Sequence, residues 1–307
     1  MKTIPDTMDF SAYEQATEAG VKVRRASAFS DQLLAEFAHR PPGSRKPEMF
    51  STKLRDRIEF RPGEMTAWAG YNGHRKSMFA GQVSLDLCVQ RERVLMASFE
   101  MAPSTTLARM AKQAFACDRP ALDSLQRFSK WTDDRLWIFD HVGRIRPSLC
   151  IAVLRYFADE LKGTQAFIDS MMMVCESEES LDEQKQFTTD LVRTAQETGL
   201  HIHLIAHCRK PQAGGEDKPP SKYDLRGSAA ISDQAHNVVT VWSNKAKTAA
   251  LEKDPHDAKA QAEADAFITV EKQRNGKWEG RAKLWFHEAS MRFCDDRTSL
   301  VEPYVLG

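Results

Sequence analysis

From about residue 60 onward, short apolar runs alternate with longer amphipathic stretches. The runs MTAWA (65–69), RVLMASF (93–99), LWIF (136–139), AFIDSMMMV (166–174), HIHLIA (201–206), NVVTVW (237–242), AFITVEK (266–272) and AKLWF (282–286) read as strands, with Met171, Met172 and Met173 continuing the fourth. Helical patterns lie between them near 77–91, 103–116, 147–162 and 182–198. Alternation of this kind builds βαβ units, whose strands pair in parallel and are covered by helices on both faces. The last two runs flank RNGKWEG, whose Asn275-Gly276 is a hairpin signal, so the sheet is expected to end in antiparallel strands. The fold class is therefore α/β, a mainly parallel sheet flanked by helices, with antiparallel strands at the C-terminal end.

This pattern occupies 48–307, which is expected to be one domain. Residues 1–47 are expected to be a loosely held arm, a short helix over 28–39 and a Pro/Gly-rich linker, too short to bury a core. The helix would pack on its own domain or on a neighbouring subunit. The segment 247–266 is charged and Ala-rich and reads as a solvated excursion between two strands. Hydrophobic residues make up 42% and charged residues 28% of the 307, which excludes wholesale disorder. Neither a membrane span nor a signal peptide is legible, and six cysteines without a CxxC pair suit a reducing cytoplasm. With 43 basic and 43 acidic residues the net charge is zero, so any nucleic-acid binding must come from local patches.

The most informative segment follows the first of these strands: Gly70-Tyr71-Asn72-Gly73-His74-Arg75-Lys76-Ser77, leading into a helical stretch. Strand, tight loop and helix N-terminus form a phosphate-binding context, because backbone N–H groups and the helix dipole both favour an anion. In the pattern GxxxxGK[ST], Lys reaches the β/γ-phosphates and the hydroxyl ligates Mg²⁺. Lys76 and Ser77 fill those places and Gly70 matches the first glycine, but Arg75 stands where the pattern has glycine. Its side chain must point away from the nucleotide, or its backbone must hold dihedrals that glycine tolerates more easily.

Three further residues fall at strand C-terminal ends, where such sheets bind ligands: Glu100, Asp169 and His207. Alone, each acid would more often be a helix cap or a surface ion pair, and the histidine a satisfied core residue. Three downstream of one phosphate loop point to a nucleotide site. A zinc reading of His201, His203, His207 and Cys208 is disfavoured, since on a strand the cysteine points opposite to the histidines.

Taken together, GYNGHRKS, SFEM, AFIDS, LIAHCRKP, DLRGSAAISD and EKQRNG resemble the hexameric replicative DNA helicases, of the DnaB type and the helicase half of phage primase-helicases, over roughly residues 55–290. The resemblance implies a RecA-like ATPase core that assembles as a homo-oligomeric ring on single-stranded DNA, with ATP and Mg²⁺ bound between subunits and a primase or loader as partner. It implies nucleotide contacts from Gly70, Gly73, His74, Arg75, Lys76, Ser77 and, more loosely aligned, Phe286. Ser77 and Asp169 would serve Mg²⁺, Glu100 would polarise the attacking water, and His207 would sense the γ-phosphate. Lys272 and Arg274 would reach into the neighbouring subunit's site, Arg274 as arginine finger. DLRGSAAISD would face DNA.

The stretch 209–228 is locally basic and rich in Gly and Pro. Arg209, Lys210, Lys218, Lys222, Arg226 and Gly227 are the candidate DNA contacts. The expected function is a replicative DNA helicase in a bacterial or phage-infected cell. Residues 1–47 hold no cysteine cluster for a zinc site, so priming is not expected in this chain. Two other readings stay open: an inactive binding or assembly module whose loop Arg75 has spoiled, and a RecA-like recombinase.

Overall fold

The computed structural model describes residues 2–9, 11–14, 26–31, 34, 47–175, 180–209 and 215–306. Its elements run β1 (Lys2–Pro5), β2 (Met65–Gly70), α1 (Lys76–Val89), β3 (Val94–Ser98), α2 (Pro103–Phe115), α3 (Leu122–Trp131), β4 (Leu136–Asp140), α4 (Pro147–Asp159) and β5 (Gln165–Asp169). They continue with α5 (Leu181–Thr198), β6 (His201–His207), α6 (Ala230–Gln234), β7 (Asn237–Ser243), α7 (Lys245–Lys253), α8 (Ala258–Ala262), β8 (Ala266–Gln273), β9 (Gly280–His287) and β10 (Arg292–Cys294). The described strands form one sheet in the order β1-β4-β3-β5-β6-β2-β7-β8-β9-β10. Pairing is parallel from β1 to β7 and antiparallel from β7 to β10.

Strand β2 sits inside the sheet and is buried along its whole length, as a strand with helices on both faces must be. Its Met65, Ala67 and Ala69 join one core with Leu95, Phe139, Ile168, Phe187 and Leu191. Trp68 points to the other core, among Phe60, Phe79, Val83, Phe167 and Ile205. Met49, Leu54, Ile58 and Phe60 seal that second face from the N-terminal side. Helix α1 is buried on nearly every side, so its contacts and not an amphipathic stripe fix its place behind the loop.

The described structure departs from the sequence reading at four places. The run 166–174 is strand only as far as Asp169, and Met171–Met173 form a 3-10 turn closed by Met173 N–H to Ser170 O at 3.0 Å. Neighbouring β3 ends at Ser98, opposite Asp169, so nothing is left to pair with; Met171 is apolar because it enters the core. The first residues are not a loose arm throughout, since Lys2–Pro5 adds to the edge of β4. An edge strand offers unpaired backbone groups that accept a partner with no side-chain period. Helix α3 was not anticipated although Leu122, Leu125, Phe128 and Trp131 recur every three residues; of these only Phe128 and Trp131 are buried. The excursion 247–266 is helical, in α7 and α8, as its alanines favour. The expected helix over 28–39 lies mostly outside the described residues.

A set of buried histidines ties the sheet together below the site. His201 Nδ1 donates to Arg61 O at 2.7 Å and its Nε2 accepts from Thr66 Oγ1 at 2.8 Å. His203 Nδ1 accepts from Trp68 Nε1 at 3.1 Å, leaving the proton on Nε2 for Gln165 Oε1 at 3.0 Å. Burial pushes His201 down to about 3 and His203 well below its ordinary value. A histidine whose folded pKa is depressed favours the folded state fully only above its unfolded pKa of about 6.5, and that advantage is lost as pH falls, by about 1.4 kcal/mol per unit per group. Burial likewise lowers His74, to about 4, and His236. Asp86, raised to about 6 by burial, works in the opposite direction between about pH 6 and 4. Denaturant unfolding is therefore expected to give a stability several kcal/mol lower at pH 5 than at pH 7, with net proton uptake on unfolding. Equal stability at the two pH values would contradict neutral, buried rings.

Candidate nucleotide site

Four neighbouring strands, β3, β5, β6 and β2, end at the same edge of the sheet. Register pairs Gly70 with His207 and Ser98 with Asp169, and Glu100 follows the end of β3 by two residues, so strand pairing brings the loop, the histidine and both acids to one edge. They surround a cavity of about 320 Å³ lined by Gly73, Arg75, Lys76, Ser77, Glu100, Asp169 and His207 among others. Asn72 and Arg109 also line it, and neither was singled out in the sequence. Arg109 lies on α2, an otherwise ordinary amphipathic helix, donates to Met101 Sδ at 2.7 Å, and carried no signal in the sequence that it would line the cavity.

The loop is built for close approach. A side chain at Gly70 would run into the carbonyl oxygen of Val241 and the stem of Lys76. Gly73 has φ 75° and Arg75 φ 62°, ψ 23°, both in the left-handed region. For arginine that conformation costs roughly 1 kcal/mol relative to glycine. Arg75 at the N-cap of α1 makes no side-chain cap, and no acid stands in the helix's first turn, so the first N–H groups face the loop. His74 and Gly70 do not line the cavity. The His74 ring is fully buried, accepts from Ser243 N–H at 3.1 Å and fastens the loop to β7.

Lys76 is nearly buried and donates to Tyr71 O at 2.9 Å and to His207 Nδ1 at 3.2 Å. Burial pulls its pKa down, while Asp169, Cys208 and Glu100 pull it up. With Lys76 donating to Nδ1, the His207 ring proton sits on Nε2, 3.7 Å from Glu100 Oε1. Glu100 also accepts from Ser170 Oγ at 2.5 Å. The His207 ring close by, with the hydrogen bond from Ser170, holds its carboxyl at about 2 despite partial burial. Asp169 is buried and its pKa is raised by burial, opposed chiefly by a hydrogen bond from Ser77.

No cluster of three or more His, Cys, Asp or Glu able to cage a metal occurs among the described residues. A hydroxyl and a buried carboxylate in contact, Ser77 and Asp169, are the oxygen set Mg²⁺ takes when phosphates and water complete its shell, so these residues fit that ion.

Lys272 and Arg274 are not at this edge. Strand β8 runs against β7, and Gln273 pairs with Asn237, itself opposite Thr66 at the start of β2. Roughly 13 Å of strand, at about 3.3 Å per residue, separates Thr66 from Gly70. Lys272 Nζ donates to Ser232 O and Asp233 O at 2.8 Å, and Arg274 Nη2 to Asp233 O at 3.1 Å, so both engage the C-terminal turn of α6.

Of the candidate DNA contacts, Arg209, Lys218 and Arg226 are exposed, and Lys210 lies outside the described residues. The loop between them is pinned at its base by the Cys208–Leu225 bridge, by Arg226 N–H to His207 O at 2.8 Å and by Arg209 N–H to Asp224 O at 2.8 Å. Lys222 is partly buried against the carbonyl of Glu271. Gly227, at φ 96°, is closed against Gln184, where a side chain would clash. Phe286 lies beside the loop, with the Arg75 guanidinium 4.0 Å from its ring centroid.

Residues 53–295 match the family model described as the DnaB-like helicase C terminal domain. Among solved structures, the chain is similar to one described as an ATPase domain, with TM-score 0.61 and 16% identity over 78% of this chain and 86% of that one. It is also similar to a DnaB-like replicative helicase described with its interactions with primase, with TM-score 0.69 and 15% identity over 88% of this chain and 68% of that one. At these identities the likeness shows a shared RecA-like helicase fold.

Proposed function

The chain belongs to the family of DnaB-like helicase C-terminal domains, and from that premise we propose that it is a ring-forming replicative motor in which ATP hydrolysis drives translocation on single-stranded DNA and unwinding of duplex. The observation that carries this reading is the chain of contacts Lys76–His207–Glu100, set beside Ser77 and Asp169 on one strand edge. Phosphoryl transfer asks for positioning and charge neutralisation more than covalent chemistry.

Lys76 and the loop N–H groups hold the β- and γ-phosphates. Ser77 and Asp169 hold a magnesium ion, which supplies charge neutralisation at those phosphates. Glu100 stays ionised and orients water for in-line attack. His207, between Lys76 and Glu100, registers whether a γ-phosphate is present and passes that state to the basic loop through Arg226 N–H. Arg209, Lys210, Lys218 and Arg226 track the phosphate backbone, with Lys222 and Gly227 shaping the loop. Arg274, with Lys272, is supplied to a neighbouring subunit of a hexameric ring, since it lies at the opposite edge from its own loop. Residues 48–307 act as the ATPase unit and 1–47 as an arm, in a cytoplasmic complex with a primase or loader. No helix of the described residues is long and apolar enough to cross a membrane.

The test is ATP hydrolysis by the assembled protein with and without single-stranded DNA, beside Lys76→Ala. Stimulation by DNA is expected, with turnover in the variant lower by about 10²-fold or more, as loss of a phosphate-binding charge implies. An assembled wild-type protein that hydrolyses nothing under either condition would favour the inactive binding module.

A further inference from the structure

Arg75 departs from the loop pattern and is the residue for which the strand-edge chemistry has no use. A side chain held in a left-handed conformation persists when surrounding contacts determine it. Here those contacts are specific. The guanidinium lies over the Phe286 ring at 4.0 Å, and its Nη2 is 3.6 Å from Glu288 Oε1. Phe286 is fixed behind by the edge-on ring of Phe293, centroids 5.0 Å apart, and by its own N–H to Asp265 Oδ2 at 2.9 Å. The half-buried ring is thus a firm plate beside the phosphate cavity, and Arg75, which also lines that cavity, rests on it. Planar guanidinium and planar nucleobase compete for the same kind of surface, the face of an aromatic ring.

We infer that Arg75, Phe286 and Glu288 form a gate beside the phosphate cavity, in which the guanidinium occupies a ring face suited to stacking a nucleobase. This rests on the nucleotide-binding reading above. A base gains the plate only by displacing Arg75, so it adds little to affinity, whereas a bare phosphate chain binds without opening the gate. Arg75 is then a specificity-determining residue: it lowers the contribution of the base and flattens discrimination among nucleoside triphosphates.

The experiment is equilibrium binding of ATP and of inorganic tripolyphosphate, each with Mg²⁺, to the full chain, Arg75→Gly, Phe286→Leu and the double variant. Glycine suits φ 62° and so should fold. Loss of one positive charge weakens both ligands, so the ratio of their affinities isolates the base. Arg75→Gly is expected to raise the ATP-to-tripolyphosphate affinity ratio about 3- to 10-fold, within the span of a cation–π contact, while the same change made in the Phe286→Leu background moves it less than about two-fold. An unchanged or lower ratio in Arg75→Gly would overturn the gate and leave the nucleotide site standing, and so would a rise that survives loss of the ring. Failure of both ligands to bind wild type and Arg75→Gly would overturn the gate and the nucleotide reading together.

Discussion

Arg274→Ala is expected to lower the turnover of the assembled protein by about 10³- to 10⁵-fold, the range for removing an arginine supplied to a transferring phosphoryl group. Nucleotide affinity should change far less, because the charge acts on the transition state. The reason is topological. Antiparallel β8 carries Arg274 to the edge where the parallel strands begin, while Lys76 and Glu100 stand where they end. Such an arginine acts on another subunit or on none. Mixing therefore gives a sharper result than the single variant. Lys76→Ala subunits and Arg274→Ala subunits, each nearly inactive alone, should regain hydrolysis when co-assembled, since some interfaces then combine an intact loop with an intact Arg274. The competing account is that Arg274 only caps α6 through Asp233 O. It predicts a lower melting temperature, full turnover in the folded fraction and no gain on mixing; that outcome would sink the trans-acting role.

Glu100→Gln should cost about 10²- to 10⁴-fold in hydrolysis, the worth of a positioned acid–base group, with nucleotide binding retained. The amide keeps the size and the acceptor for Ser170 but loses the charge facing His207 Nε2. Because its carboxyl is held at about 2, Glu100 remains ionised from about pH 5 to 8. The pH–rate profile from about 5 to 8 should accordingly show no limb that the Gln variant removes. Measured turnover within about threefold of wild type would assign the water-orienting role elsewhere, and Arg109 in the same cavity would then need the same test.

Much of this was legible in the residues. Apolar runs between helical stretches implied parallel strands covered on both faces, and the loop Gly70–Ser77 marked the edge where ligands bind. Asp169 and His207 were readable because each ends a strand, and Glu100 because it closely follows one; parallel strands bring such ends to one line. Less was legible where local pattern and tertiary role part company. The methionines after Asp169 look like strand because they are apolar, yet they turn, since β3 has already ended and offers no pairing partner. His74 looks like a ligand because of its place in the loop, yet its ring is spent on Ser243.

What the chain's own order of residues decided is the class of fold and the chemistry at its strand ends, because both depend on local periodicity and residue type. What only the folded molecule decided is which groups meet across large separations in sequence. The Lys76–His207 hydrogen bond spans 131 residues, and nothing near either residue foretells it. Likewise the placement of Arg75 on Phe286 joins an irregular loop to a late antiparallel strand. Such contacts follow from strand order and register, which are set by how all the strands pack at once and are written in no single segment.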